Sequence, residues 1–240
     1  MDISAHDAMA WAVRRFGSSV AIATSFQKEG MILVDLAAHQ APSIPVFTID
    51  TGRLPEETHQ MIETVRERYG IAVEILRPDA GEVEAMVSRH GLDLFYREVP
   101  MRMLCCEVRK VRPLERKLQS LDAWIVGLRR GQSESRAEVK KIDEDTRPVK
   151  ISPLADWTEA EVDDYILRHN VPLHPLYARG YTSIGCASCT RAVAPGEHAR
   201  AGRWWWEQDA LKECGIHFSP LGKAARKVDV LLEDVLTRAS

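Results

Sequence analysis

Val20-Ala21-Ile22-Ala23-Thr24-Ser25-Phe26-Gln27-Lys28-Glu29-Gly30 runs from an apolar segment through a polar turn towards a helix. Val20 to Thr24 is a short apolar run with β-branched residues, the pattern of a buried strand. Ser25 to Gly30 is a polar turn, and a helical spacing of apolar residues follows through Met31, Leu33, Val34 and Leu36. Strand, polar turn and helix N-terminus together offer backbone N–H groups to a phosphate or another anion. Taken alone the signal is weak, because most βα turns simply connect two elements.

Working outward, the same alternation recurs. Pro45 to Ile49 predicts a second strand, which ends in Asp50-Thr51-Gly52-Arg53. Leu54 to Tyr69 predicts a helix with Pro55 in its first turn, Arg66 and Arg68 near its end and Gly70 as its stop. Val73 to Leu76 predicts a third strand, with a helix from about Gly81 to His90. Ala123 to Gly127 reads as another buried strand, followed by the basic loop Leu128 to Arg136. Glu138 to Arg147 is heavily charged and reads as a solvated excursion; Val149 to Leu154 resembles a short edge strand. Thr158-Glu159-Ala160-Glu161 is a capping box for a helix through Arg168. Upstream, Met1 to Arg15 reads as a helix that stops near Gly17. The sum is an α/β fold, a mostly parallel twisted sheet with helices on both faces. Ligands of such sheets sit beyond the carboxyl ends of the strands. Ser25–Gly30 and Asp50–Arg53 both fall there, which points to a nucleotide.

Composition narrows the function. The 240 residues suit one large domain with a core that needs no disulfide staples, and the net charge of −3 argues against a general nucleic-acid binder. The N-terminal residues lack the apolar region of a signal peptide, and no run approaches the ~18 apolar residues of a membrane span. A cytoplasmic protein is expected, in which clustered thiols bind metal or do redox work.

Of five cysteines, Cys105 and Cys106 are adjacent and Cys186-Ala187-Ser188-Cys189 is a C-x-x-C pair. Four thiols can hold zinc or an iron–sulfur cluster. Zinc usually takes two C-x₂₋₄-C pairs, and adjacent residues point in different directions, so Cys105-Cys106 suits separate corners of a cluster better. Buried, reduced thiols without metal are the bland alternative. Cys214 stands alone, between Lys212 and His217; nearby positive charge lowers a thiol pKa and makes a nucleophile, although a lone cysteine is more often inert. With no second thiol beside it, an outside dithiol would have to resolve any intermediate. Arg109, Lys110, Arg112, Arg191, Arg200 and Arg203 lie close to the cysteine pairs in sequence, and such a cationic pocket suits a phosphate- or sulfate-bearing substrate. His169 and His174 read as ordinary surface or packing residues, and Trp204-Trp205-Trp206 as packing before base stacking.

Cys105-Cys106-Glu107-Val108-Arg109-Lys110-Val111-Arg112-Pro113-Leu114, Gly185-Cys186-Ala187-Ser188-Cys189-Thr190-Arg191 and Glu213-Cys214-Gly215-Ile216-His217 resemble the assimilatory adenylyl-sulfate (APS) reductases of the PAPS/APS reductase family. Ile49 to Thr58, Gly127 to Arg130 and Arg200 to Glu207 are similar too. The resemblance implies an adenine-nucleotide α-hydrolase-like domain over residues 1–207 and a mobile C-terminal segment, 208–240, carrying the nucleophile. It implies that Cys105, Cys106, Cys186 and Cys189 ligate one [4Fe–4S] cluster, and that Cys214 attacks the sulfur of APS. AMP would leave, and reduced thioredoxin or a glutaredoxin-like dithiol would release sulfite from the S-sulfocysteine. Lys110, Arg200, Arg203 and His217 match phosphosulfate contacts; Ser25, Phe26, Gln27, Ile49, Thr51, Gly127 and Arg136 match adenosine- and phosphate-contacting positions. No nucleic acid or membrane is implied as partner, and a homo-oligomer is compatible.

Two departures qualify the match. The first loop lacks the Ser-Gly-Gly-x-Asp-Ser of ATP-splitting relatives, which argues against ATP pyrophosphatase activity, and the loop Gly131 to Arg136 differs in detail from the commoner family version. The competing readings are a PAPS or dual APS/PAPS reductase, an ATP-dependent tRNA thiolation enzyme, and a non-catalytic cluster-binding sensor.

Overall fold

The structure is a computed structural model and describes residues 3–207 and 222–239. Cys214 and His217 lie outside the described residues. Eight α-helices and six strands occur among the described residues: α1 Ala5–Phe16, β1 Val20–Ala23, α2 Lys28–Gln40, β2 Val46–Ile49, α3 Glu56–Tyr69, β3 Val73–Leu76, α4 Ala80–His90, α5 Val99–Cys106, α6 Arg112–Leu118, β4 Ala123–Val126, β5 Ile142–Asp143, β6 Val149–Ile151, α7 Glu159–His169 and α8 Gly222–Ala239. A π-helical turn, Glu107–Val111, joins α5 to α6.

The chain divides into two compact units. The first comprises Met1–Thr48, Pro55–Ile75 and Leu118–Arg179. Its sheet has the order β3-β2-β1-β4-β6-β5. β1 pairs in parallel with β2 and β4, β4 pairs in parallel with β6, and β5 runs antiparallel to β6. The central strand β4 is buried at every position, as expected of a parallel strand covered on both faces. Ile22, Val46, Ile125 and Ile151 of the strands pack with Met9, Ile32, Leu33, Met61, Val65 and Val162 of α1, α2, α3 and α7. Helix α2 is buried from Glu29 to Ala37, so it reads as apolar nearly all round.

Local chemistry fixes the helix ends. The Ser4 side chain accepts from the Asp7 amide to start α1. Thr158 and Glu161 form the expected capping box on α7, and Gly70 ends α3 in the left-handed region. His174 is a packing residue, buried with its Nε2 3.0 Å from Thr58 Oγ1. Two expectations need correction. The charged segment Glu138–Arg147 contains β5, so β6 is flanked on both sides and the two-residue β5 forms the edge. Pairing with β6 supplies the order that the local sequence lacks, since Ser152 N–H also donates to Lys141 O at 2.8 Å.

The second unit comprises Ile49–Leu54, Leu76–Lys117 and Gly180–Ser240. It is helical and loop-rich; α8 packs on α4 and α5. Its own apolar cluster contains Met86, Phe95, Leu104, Cys105, Val108, Cys189, Trp204 and Val235. Two of the cysteines are thus part of a core.

Candidate functional site: a four-cysteine recess

The first half of the recess comes from the end of α5. Arg102, Leu104 and Cys105 are buried there and Cys106 is half-buried. The π-turn follows at once, closed by the Arg112 N–H donating to Glu107 O. Such turns wedge one residue into a helix and are frequent at functional sites. Here the turn buries Val108 and Arg109, and Lys110 lines the recess with Cys105 and Cys106.

The second half is the irregular stretch after Gly180. A 3₁₀ turn, Ala187–Cys189, brings the C-x-x-C pair round, with the Cys189 N–H donating to Cys186 O at 2.9 Å. The Thr190 hydroxyl donates to Cys186 O at 3.0 Å and accepts from the Gly185 N–H at 3.1 Å. A bridge between Thr190 and Arg203 and a Trp204 N–H to Cys189 O bond of 3.2 Å fix the loop from the other side. Glycine is required at 202, where the neighbour is backbone, and Gly185 leaves room for the Arg203 guanidinium. A Cβ at Gly185 would lie 2.5 Å from Arg203 Nη2, and one at Gly202 would lie 2.3 Å from Arg191 O.

The loop after β2 contributes a third wall. Asp50 Oδ1 accepts from the Gly52 N–H at 2.9 Å, a turn in which Gly52 takes φ 72°. Thr51 is buried, with Oγ1 3.2 Å from Cys186 Sγ. Arg109 Nη1 donates to Thr51 O at 2.9 Å, and the Ala187 N–H donates to Arg53 O at 2.8 Å. Four cysteines, Cys105, Cys106, Cys186 and Cys189, therefore line one recess together with Thr51, Arg53, Phe95, Arg102, Arg109 and Lys110.

Burial pushes the Cys105 thiol up to about 11, with the neighbouring Arg109 pulling the other way. Burial pushes Cys189 up to about 12, reinforced by Cys186. As free thiols these two would stay protonated and inert at neutral pH. None of the four is in a disulfide. Metal ligation would remove their protons, and the surrounding guanidinium and ammonium groups would offset the resulting negative charge. Among the described residues no group of three or more His, Cys, Asp or Glu stands placed to hold a metal ion. The thiols share one recess without closing on a single point.

The first unit carries the βα loop. Ser25 is exposed, and Gln27 Nε2 donates to Ser25 Oγ at 3.0 Å at the N-terminus of α2. Phe26 is fully buried at φ 57°, and its N–H donates to Thr24 Oγ1 at 3.0 Å. A left-handed aromatic residue is strained, and such strain collects at ligand-binding turns. Gly127 approaches this loop closely: a Cβ there would lie 2.8 Å from Glu29 Cβ and 3.0 Å from Gly30 N. Arg129, buried, reaches Glu29 with Nε at 2.7 Å of Oε1 and also pairs with Glu159. Lys28 pairs with Glu159 at 2.9 Å and Asp163 at 2.7 Å. Burial lowers the Lys28 pKa, and the two carboxylates outweigh it, so the ammonium stays charged above its ordinary value.

The structure thus gathers Thr51, Lys110 and the four cysteines in one place on the second unit, and Ser25, Phe26, Gln27 and Gly127 belong to the first unit. Ile49 is half-buried at the end of β2, and Arg136 reaches Gln132 within the loop after β4. Arg200 lies half-buried in the turn before Arg203; Arg203 is buried against Gly185 and Trp204. Sequence reasoning missed Arg102, whose only local signal is its position three and four residues before the cysteines. It also missed Arg53, which lies over the Phe95 ring at 4.8 Å.

Residues 19–192 match the family described as the phosphoadenosine phosphosulfate reductase domain. The chain is 49% identical over 201 residues to an adenosine 5′-phosphosulfate reductase of Allochromatium vinosum, spanning 83% of this chain and 78% of that one. Among solved structures it is similar to a phosphoadenylyl-sulfate (PAPS) reductase from Candida auris, with TM-score 0.66, 26% identity, and coverage of 78% and 90% of the two chains. It also shares its fold with an FMN adenylyltransferase of Candida glabrata, at TM-score 0.56 and 16% identity, over 97% and 78% of the chains.

Proposed function

This chain belongs to the phosphoadenosine phosphosulfate reductase family, and on that premise we propose that it reduces adenylyl sulfate (APS) to sulfite and AMP in sulfate assimilation. The likeness to adenosine 5′-phosphosulfate reductases over most of both chains carries the reading.

Cys214 is the nucleophile of this reading, and it lies outside the described residues. Its thiolate attacks the sulfate sulfur of APS. An S–S bond forms, the S–O bond to the phosphate breaks, and AMP leaves with the electron pair. The product on the chain is an S-sulfocysteine. A dithiol of the thioredoxin type then attacks the Cys214 sulfur, sulfite departs with the bonding pair, and the second thiol of that dithiol closes a disulfide and frees Cys214. The dithiol supplies both electrons, in a reducing cytoplasm. Among the described residues no helix is long and apolar enough to cross a membrane.

Cys105, Cys106, Cys186 and Cys189 would hold a [4Fe–4S] cluster. Their shared recess, their unbridged thiols and the cations Arg53, Arg102, Arg109 and Lys110 around them support that assignment. Bound there, the cluster supplies a fixed frame and a local field rather than the electrons of turnover. The chain's own groups do the rest. Lys110, Arg200, Arg203 and His217 would bind the phosphosulfate, and Ser25, Phe26, Gln27, Ile49, Thr51, Gly127 and Arg136 the adenosine and its phosphate. The N-terminus of α2 adds a partial positive charge to that site.

Incubation with APS in the absence of dithiol tests the scheme by mass spectrometry. A sulfonate adduct on Cys214, released as sulfite by reduced thioredoxin, is expected. Cys214→Ser should form no adduct and no sulfite; full turnover by that variant would remove Cys214 from the mechanism. Rates on APS and PAPS, measured side by side, decide between single and dual specificity.

A further inference from the structure

The ion pair Arg102–Glu207 sits where packing alone does not require it. Both side chains are almost wholly buried, at 2% and 3% exposure. The contact is bidentate: Arg102 Nε donates to Glu207 Oε1 at 2.8 Å and Nη2 to Oε2 at 3.0 Å. Two charges taken out of water seldom add net stability, since an apolar pair of similar volume does as well or better. What the pair touches supplies a different reason for it.

Arg102 lies three residues before Cys105 and four before Cys106 on α5, the spacings that share a helix face. Its guanidinium lines the cysteine recess. It also lies 4.5 Å from the centre of the Trp204 ring, which carries Arg203 at the same distance. Trp204 is 1% exposed, takes the left-handed φ of 42°, and donates its N–H to Cys189 O. Glu207 closes the same turn, its N–H donating to Trp204 O at 2.9 Å. One side chain on the first cysteine segment therefore grips, by charge and by stacking, the turn that is bonded to the second.

We propose that Arg102 is a positioning residue for the four-cysteine centre, clamping the Cys105-Cys106 helix end to the Cys186–Cys189 loop through Glu207 and Trp204. The inference rests on the reading of those cysteines as ligands of an iron–sulfur cluster. The planar, forked guanidinium serves both contacts at once; an ammonium cannot.

The test separates clamp from ordinary stability by removing both charges together. Arg102→Met with Glu207→Met leaves no buried, uncompensated charge, so its melting temperature should stay near that of the unaltered chain. Iron release to a chelator should nevertheless be faster by about 10–100-fold, the usual cost of losing a ligand's supporting contacts. In the iron-free chain, Cys105 and Cys189 should alkylate faster than in the unaltered iron-free chain. Iron release and alkylation at the unaltered rates would overturn the proposal. Arg102→Lys is the second variant, for the case in which the double variant fails to fold. It keeps the charge, and it should show the fast iron release, whereas full retention of iron by Arg102→Lys would equally overturn the clamp. Absence of iron from the unaltered chain, by contrast, would refute the cluster reading itself.

Discussion

Lys110 shows how much one side chain can depend on a local irregularity. The sequence places it one helical turn after Cys106, and both line the same recess. The connection between them is a π-turn, which no propensity in Glu107–Val111 announces. The burial of Arg109 in that turn, with Nη1 on Thr51 O, was equally illegible, because its partner is 58 residues away. The gathering of the four cysteines in one recess was legible, because thiols in two local pairs are the spacing of a shared site. Lys110→Ala is expected to lower turnover with APS by about 10²–10³-fold, the scale for removing one preorganised charge contact. Iron content and visible absorption should be unchanged; loss of iron along with activity would make Lys110 a structural residue instead. Glu197 gives a second residue-scale expectation. The Arg191 side chain, then the Ala194 N–H, hold its carboxyl down to about 2, against an ordinary 4.5. A depressed folded pKa means that the interaction is fully present above about 4.5 and is lost as pH falls through about 2. Hydrogen exchange at the Ala194 amide should therefore stay slow well below pH 4.5 and quicken near 2, and Glu197→Gln should erase that dependence.

At the scale of elements, the strands and their helices followed from pattern. β1 to β4 are apolar runs of the right length between turn residues, and the helices carry caps that can be read directly, such as Thr158 with Glu161. β5 was not readable: Ile142 and Asp143 sit among charges and become a strand only through β6. The close approach of two loops was also hidden. Gly127 follows β4 and Glu29 opens α2, and no spacing in the sequence links them. Gly127→Ala should cost about 1–3 kcal/mol, because its Cβ meets backbone and Cβ atoms that cannot swing away. Gly17→Ala isolates the backbone contribution: nothing lies within 4 Å of that Cβ, so only its backbone, φ 54° with ψ −121°, opposes the change, at about 1–3 kcal/mol. Urea midpoints of the two variants measure the difference. A Gly127→Ala midpoint equal to the parent's would mean that the loops relax freely around it. Weaker nucleotide binding by Gly127→Ala would agree with its place beside the βα loop.

On the scale of the whole molecule, the chain is threaded through its two units by turns. Each unit is assembled from three separate stretches, and the cysteine recess draws on all three stretches of the second. Pattern reading works along the chain, so the sheet unit, whose strands announce themselves singly, was the easier half. The other unit contains few repeating signals after Gly180, where glycine, cysteine, arginine and tryptophan replace any period. Its order comes from pairings such as Arg102 with Glu207, 105 residues apart.

That threading has a consequence during synthesis. Cys105 and Cys106 leave the ribosome well before Cys186 and Cys189, by on the order of ten seconds at usual elongation rates. Throughout that interval the early pair has neither its two later partners nor the Arg203–Glu207 turn that closes over them. A nascent chain arrested at Gly180 should accordingly retain no iron through purification, while the full chain, with α8 on α4 and α5, should retain it. Iron held by the shorter chain would show that delivery begins on half a site. If the expectation holds, the cell's iron–sulfur donor must meet this protein late in translation or after it, and the first two thiols must be kept reduced until then.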